Sequence, residues 1–169
     1  MKRMMVLLLL LCVCLSGCTR VGRADSMDLL AALAQRDIDV SLDEVVSGAD
    51  ERTESGCVGA VRLSFRSDPG GKVERIVLTC MDASDPDFLR LSQMLTEIYC
   101  AVSSSFFKEI WQTLTADAAD GSVAQCRTEQ YLFTCSADAM GAVFVIDNQL
   151  LHPTEPPSVT VRVTAPLLK

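Results

Sequence analysis

Eight cysteines and one histidine are the residues of this 169-residue chain best suited to metal binding or nucleophilic chemistry. Structural zinc sites typically use close pairs such as Cys-x-x-Cys, and the sequence contains no such pair. Cys126 and Cys135 have eight residues between them, and His152 lies between Leu151 and Pro153 in a proline-rich segment. The spacing predicts no metal site and no cofactor, and we interpret His152 as an ordinary loop residue.

The sequence also lacks the familiar motifs of catalysis. It has no Gly-x-Ser-x-Gly elbow, no phosphate-binding loop and no dinucleotide-binding glycine pattern. The 22 acidic residues permit many carboxylate pairs, but their spacing selects none. The acidic run 82–87 suggests calcium at first, but it lacks the loop glycine and distal glutamate of an EF-hand, and helix capping explains it. We therefore predict no catalytic residues.

The N-terminal segment has the features of an export signal. Lys2 and Arg3 precede an uninterrupted apolar run of 12 residues, 4–15, whereas a membrane-spanning helix needs about 20. The basic start and the short apolar run are typical of a secretory signal. The run ends in Leu15-Ser16-Gly17-Cys18, and this segment resembles the lipobox of bacterial lipoproteins.

The resemblance implies export, cleavage before Cys18 and attachment of diacylglycerol to the Cys18 thiol. Residues 1–17 are then a signal peptide, residues 18–25 a lipidated cysteine with a short tether, and residues 26–169 a single domain. Two or three acyl chains suffice for stable anchoring in a membrane. The expected location is the extracytoplasmic side of a bacterial cell membrane; a plain secreted protein and an uncleaved anchor are the alternatives.

Composition and charge limit the class of partner. Hydrophobic residues make up 49% and charged residues 22% of the chain, which is typical of a folded globular protein and not of a disordered one. The net charge is −7, and removal of residues 1–17 leaves 13 basic against 22 acidic residues, or −9. A nucleic-acid partner is therefore not expected, and an acidic body is repelled by anionic headgroups.

The first half of the mature chain predicts one helix followed by a hairpin. Ser26 is a candidate N-cap of a helix that ends near Arg36, and Ser41 with Glu44 has the spacing of a capping box, which favours a short helical turn. The polar segment 48–56 is predicted to be a loop. Residues 57–65 and 73–80 each alternate between apolar and polar positions, with a turn at 68–71, and this pattern predicts two paired strands.

The second half predicts a long helix followed by strands. A helix start at 84–87 precedes an apolar stripe that reaches about Leu114, with a weak stretch at 103–105. Residues 123–136 favour one strand or a small hairpin, and 141–147 and 158–164 favour strands. Together these elements predict an α+β two-layer sandwich, with an antiparallel sheet of about 4–5 strands and the long and N-terminal helices on one face.

Five cysteines remain after the signal and the lipidated residue are set aside, and an odd number cannot pair completely within one chain. Cys57 and Cys80 lie at the outer ends of the predicted hairpin, and Cys126 and Cys135 flank a possible second hairpin. We therefore predict disulfides 57–80 and 126–135, with Cys100 free and buried. The alternative is that all five are small buried hydrophobic residues.

The leading functional hypothesis is a lipid-anchored envelope protein without catalytic activity. It would bind an envelope partner through the exposed face of its sheet or through an edge strand, for which 158–164 is a candidate. A second hypothesis is a carrier or sensor with an apolar pocket between helix and sheet. A third is an envelope hydrolase that uses acidic residues.

Overall fold

The computed structural model describes residues 24–82, 84–117, 122–138, 141–151 and 161–162. The predicted signal peptide, Cys18, most of the tether and His152 lie outside the described residues. We number the helices and strands in chain order.

Helix α1, Ser26–Ala34, begins one residue earlier than the sequence pattern indicates. Its N-cap is Asp25, whose carboxylate accepts a hydrogen bond from the backbone N–H of Asp28 at 2.8 Å. Ser26 does not cap the helix, because its hydroxyl donates to the buried carboxylate of Glu54 on the neighbouring sheet.

The predicted long helix is two helices, α2 (Pro86–Cys100) and α3 (Ser104–Asp117). The first of these helices ends at Cys100, because Ala101 adopts a left-handed conformation with a φ of 52°. The hydroxyl of Ser103 then accepts a hydrogen bond from the N–H of Phe106 at 3.3 Å. The apolar stripe is therefore shared between two helices that pack against the same core.

In the part of the chain that the structure describes, eight strands form one sheet, in the order β1-β2-β3-β4-β7-β6-β5-β8. Strands β1 to β7 pair antiparallel, and β8 pairs with β5 in parallel. The α+β architecture with an antiparallel sheet is as predicted, but the expected strand count was too low. The strands are β1 Ser41–Ser47, β2 Arg52–Val58, β3 Val61–Ser67, β4 Val73–Cys80, β5 Val123–Arg127, β6 Tyr131–Asp138, β7 Gly141–Asn148 and β8 Val161–Arg162.

The prediction was wrong for residues 41–47 and 52–56, which form strands and not a helical turn followed by a loop. Their polarity concealed them, because β1 is a largely exposed edge strand and β2 buries Glu54 and Ser55. Gly56 is needed where β1 and β2 approach closely: a side-chain carbon there would lie 2.4 Å from the carbonyl oxygen of Ser41. The glycine that favoured a loop is thus a strand-pairing residue.

The predicted strand 57–65 is interrupted by a tight turn at Gly59 and Ala60. Gly59 has a φ of +57°, which favours glycine over residues with a side chain. Val58 and Val61 face each other across the resulting hairpin. Cys57 therefore lies on β2, and not on the strand that pairs with β4.

The three described helices all contribute to a core on one face of the sheet. Phe144 lies at its centre, with Phe107 and Trp111 of α3 on one side and Phe133 of β6 beside it. Its neighbours along β7, Val143 and Val145, lie outside this core cluster. The sheet therefore has a helix-covered face and a second face, which we call the open face.

Candidate functional site

The open face carries the polar half of each alternating strand. The cross-strand register places Ser64, Val77, Val145 and Thr134 in one row across β3, β4, β7 and β6. All four side chains are partly exposed, and none is charged. Small, uncharged and mostly β-branched side chains form a surface that can be desolvated at a modest free-energy cost.

A depression of about 450 Å³ lies at one end of this face. Its floor includes the next row of the register, Arg62, Thr79, Val143 and Ser136. We call this end of the sheet the far end. The remaining lining residues come from strand ends and turns: Ala60, Cys80, Met81, Asp138, Gly141 and Ala142.

Gly141 fixes the wall of the depression where β7 begins beside the end of β4. It has a φ of +142°, and a side-chain carbon there would lie 2.3 Å from the carbonyl oxygen of Cys80. Only glycine fits such an approach without a backbone shift. Met81, which follows the last residue of β4, has 77% of its surface exposed at the rim.

One carboxylate lines the depression, and two more pair with an arginine of its lining. The guanidinium of Arg62 lies 2.7 Å from Glu44 and 3.6 Å from Asp43, in exposed pairs on β1. Asp138 is the carboxylate among the lining residues, whereas a two-carboxylate hydrolase needs a convergent pair. Among the described residues, charged side chains lie at this end of the sheet, but the depression has no convergent pair of carboxylates.

Asp82, which follows Met81, belongs to the acidic run that precedes α2. The Ser84 hydroxyl and backbone N–H both donate to its carboxylate, and these hydrogen bonds lower the pKa of Asp82 below its ordinary value. Asp85 is the N-cap of α2 and accepts from the N–H of Asp87 at 2.8 Å. The helix-capping interpretation of this run is confirmed.

The described chain starts at the opposite end of the sheet, which we call the tether end. The N–H of Val73, the first residue of β4, donates to the carbonyl oxygen of Ala24 at 3.1 Å. Asp25 forms a β-bridge with Lys72, next to the turn that joins β3 and β4. β4 has eight residues, so the far end lies about 25 Å from the tether end.

A buried hydrogen-bond network lies on the helix side of the tether end, and sequence reasoning did not find it. The Tyr99 hydroxyl donates to the carbonyl oxygen of Val73, and the Tyr131 hydroxyl donates to that of Tyr99 at 3.2 Å. Asn148 donates to the Tyr99 oxygen at 3.4 Å. Burial raises the pKa of both tyrosines. The network joins α2 to three strands, and we assign it a structural role.

The structure does not bring Cys57 and Cys80 together, so this predicted disulfide is wrong. Arg62 of β3 faces Cys57 on one side and Thr79 on the other, which leaves a whole strand between the two cysteines. Two strand spacings amount to roughly 10 Å, and a disulfide requires Cα atoms within about 7 Å. The unpredicted turn after Val58 is the reason for the error.

Cys126 and Cys135 lie on the paired strands β5 and β6 and share the core-facing side. They are offset, because Cys126 faces Phe133 while Cys135 faces Ala124. Such diagonal neighbours have Cα atoms about 7–8 Å apart, beyond ordinary disulfide geometry. Cys100 is buried at the end of α2. All five described cysteines carry thiols.

Thiol reactivity should separate Cys57 from the rest. Cys57 is exposed, whereas burial raises the pKa of Cys135 to about 11 and that of Cys100 well above its ordinary value. A rise of about two units in the pKa of a thiol lowers its thiolate fraction roughly a hundredfold. We expect a thiol reagent at pH 8 to modify one cysteine rapidly in the folded protein, and the Cys57→Ser variant to lose that phase.

The same assay tests the disulfide hypothesis. After unfolding without a reductant, the domain should expose all five thiols. A single reactive thiol in the unfolded, unreduced protein would instead show that the other four cysteines form two disulfide bridges. That result would contradict the strand register.

Within the described ranges, no group of three or more His, Cys, Asp or Glu side chains is placed to hold a metal ion. None of the helices in that part of the chain is long and apolar enough to cross a bilayer. Comparison with protein-family models, curated protein sequences and solved structures finds no match to this chain.

Proposed function

We propose that this protein is a lipid-anchored envelope protein that binds a partner protein through the open face of its sheet, without catalysis. The observation that carries the proposal is the one-sided helix layer. It leaves an uncharged row of side chains on the open face, next to a depression that lies opposite the point where the chain enters the sheet. The lipobox resemblance at Cys18 supplies the anchor.

The tether end would face the membrane in this arrangement. Five residues, 19–23, lie between Cys18 and Ala24, and an extended chain spans at most about 3.5 Å per residue, or roughly 20 Å. The far end of the sheet would then lie about 25 Å further from the lipid. Since the mature chain carries a net charge of −9, repulsion from anionic headgroups favours the same stand-off.

Anchoring would promote binding through concentration. A domain confined to the membrane surface meets other envelope proteins at a higher effective concentration than a freely diffusing domain. A weak interface on the open face would therefore suffice, and no tightly fitting pocket is required. The space between helices and sheet holds the aromatic core around Phe144, which disfavours the ligand-carrier alternative there.

The test is capture of the partner by crosslinking in intact cells, followed by mass spectrometry of the purified complex. Val145→Arg places a charge in the uncharged row of the open face, and we expect it to abolish capture of the specific partner. Gln112→Arg is the matched control, because Gln112 is exposed on α3 in the opposite layer. Retention of the partner by Val145→Arg, or its equal loss in both variants, would contradict the proposal.

A further inference from the structure

We infer that the open face binds a second copy of this chain, anchored in the same membrane, so that the two sheets pack face to face. The inference rests on the proposed function, because it names the partner that the open face would contact. Three observations carry it: the arrangement of side chains about the centre of the sheet, the charge of the open face, and the position of the tether end.

The sheet order supplies a natural centre for such a pair. β4 and β7 are the two middle strands of the described sheet, and β3 and β6 flank them. Most homodimers form about a twofold axis, which brings the same patch of both copies together. An axis that runs along the strands, over the centre of the sheet, places β4 over β7 of the second copy and β3 over β6. Each row of the register then meets the same row in reverse order.

The uncharged row matches its own reverse. Val77 of one copy lies over Val145 of the other, and Ser64 lies over Thr134. The middle of the contact is therefore aliphatic, and the hydroxyls on both sides of it can pair by hydrogen bonds. Packed sheets lie about 10 Å apart, a distance that side chains from the two facing sheets fill in β-sandwiches.

The neighbouring row, towards the tether end, is complementary in charge. It contains Arg66, Arg75, Asp147 and Leu132, in the order of β3, β4, β7 and β6. Arg75 donates to Asp147 within one copy, and the reversed order places Arg75 of each copy over Asp147 of the other. Two cations and two carboxylates then alternate around the axis, which favours this register over a shifted one.

The open face carries little of the net charge of the protein. The two other arginines of these four strands lie beside carboxylates, Arg62 at 2.7 Å from Glu44 and Arg66 at 2.9 Å from Glu51. The mature chain has a net charge of −9, so the excess of carboxylates lies mainly on other surfaces. Two copies therefore approach each other at a lower electrostatic cost through the open face than through those surfaces.

The tether end determines the direction of the axis. The described chain enters the sheet beside Val73, at the start of β4, and the lipid at Cys18 would lie on that side. An axis along the strands keeps the tether ends of both copies on one side, so both lipids can enter one membrane. A face-to-face pair with opposed strands would place one tether end beside the far end of the other copy.

The area of the open face is sufficient for a specific contact. Three rows across six strands, β2, β3, β4, β7, β6 and β5, cover about 29 Å by 20 Å. This is roughly 600 Å² on each copy and about 1,200 Å² for the pair, whereas a specific interface buries at least about 1,000 Å². Confinement of both copies to one membrane raises their effective concentration and promotes this contact.

Two oppositely charged variants of one residue provide the test. Val145 of the two copies lie next to each other across the axis, so Val145→Arg or Val145→Asp alone brings like charges together. Each variant alone should self-associate at least about tenfold more weakly than the wild type. An equimolar mixture brings opposite charges together and should associate to within about threefold of the wild type. Recovery in the mixture also shows that both variants fold.

The measurement is sedimentation of the full chain in a density-matched neutral detergent, at protein concentrations up to roughly 1 mM. Gln112→Arg and Gln112→Asp are the matched controls, because Gln112 is exposed on α3 in the helix layer. They should associate as the wild type does, alone and mixed. A wild-type chain that stays monomeric, a mixture that associates no more strongly than its components, or equal weakening by the Gln112 variants would overturn the inference.

The outcome is distinguishable from failure of the proposed function. If the wild-type chain stays monomeric while Val145→Arg loses a different protein captured in cells, this inference alone is wrong. If Val145→Arg retains every protein that the wild type captures, the proposed function itself is contradicted, whatever the sedimentation shows.

Discussion

Replacing Phe144 with alanine should lower the free energy of unfolding by about 3–5 kcal/mol, which is typical of a buried phenylalanine. The Phe144 ring is 1% exposed, and its centroid lies 5.6 Å from that of Trp111 and 6.5 Å from that of Phe107. The Phe133 ring stacks beside it at 6.4 Å. The substitution would leave a cavity at the point where α3, β6 and β7 meet.

The effect is large relative to the stability of a small domain, which is about 5–15 kcal/mol. Equilibrium unfolding in urea would measure it, and Val145→Ala is the matched control. Val145 is the adjacent residue on β7 but lies on the open face, outside the core cluster, so its truncation should cost less than about 1 kcal/mol. Equal losses in the two variants would contradict the assignment of the two faces.

The strands β3 and β4 could be predicted because local sequence determines them. Each alternates between core and open face with a period of two, and the turn at 68–71 joins them directly. The acidic run before α2 likewise indicates a helix start through short-range capping. In these segments the side chains that determine the structure lie within a few residues of one another.

The remaining elements depend on contacts that are distant in the sequence. β2 reads as a polar loop, but Glu54 is buried because Ser26, from the first helix, and Arg52 both donate to its carboxylate. The helix ends because Ala101 adopts a left-handed conformation, and the sequence has no glycine at this position to indicate it. Neither the burial of Glu54 nor the conformation of Ala101 changes the periodicity of apolar residues, so the sequence pattern does not indicate them.

The candidate site likewise combines a feature that local sequence determines with one that depends on distant contacts. Alternation along β3 correctly placed Arg62 on the face opposite the core, together with Ser64. The depression exists because β4 pairs with β7, which follows about 60 residues later in the chain. That pairing also determines which cysteines are neighbours, so the predicted 57–80 disulfide and the position of the depression both required the sheet order.

Replacing Cys18 with serine should release the protein from the membrane almost completely. Serine lacks the thiol that would carry diacylglycerol, and the resemblance to a lipobox ends at this residue. Attached acyl chains stabilise membrane binding by about 0.8 kcal/mol for each buried methylene group, so two chains anchor stably. Without them, an acidic domain has no electrostatic attraction to anionic lipid.

Cys57→Ser is the matched control for this substitution, because it removes an exposed thiol from the folded domain. It should leave the protein in the membrane fraction. The comparison therefore separates loss of the lipid from loss of any reactive cysteine.

The most direct test of a lipid-anchored, partner-binding domain is fractionation of cells that carry Cys18→Ser, with crosslinking and partner capture from the same cells. We predict that the wild-type protein and Cys57→Ser stay with the membrane and capture one specific envelope partner. Cys18→Ser should move to the supernatant without detergent and lose that partner. A Cys18→Ser protein that stays in the membrane fraction and captures the same partner would contradict the account.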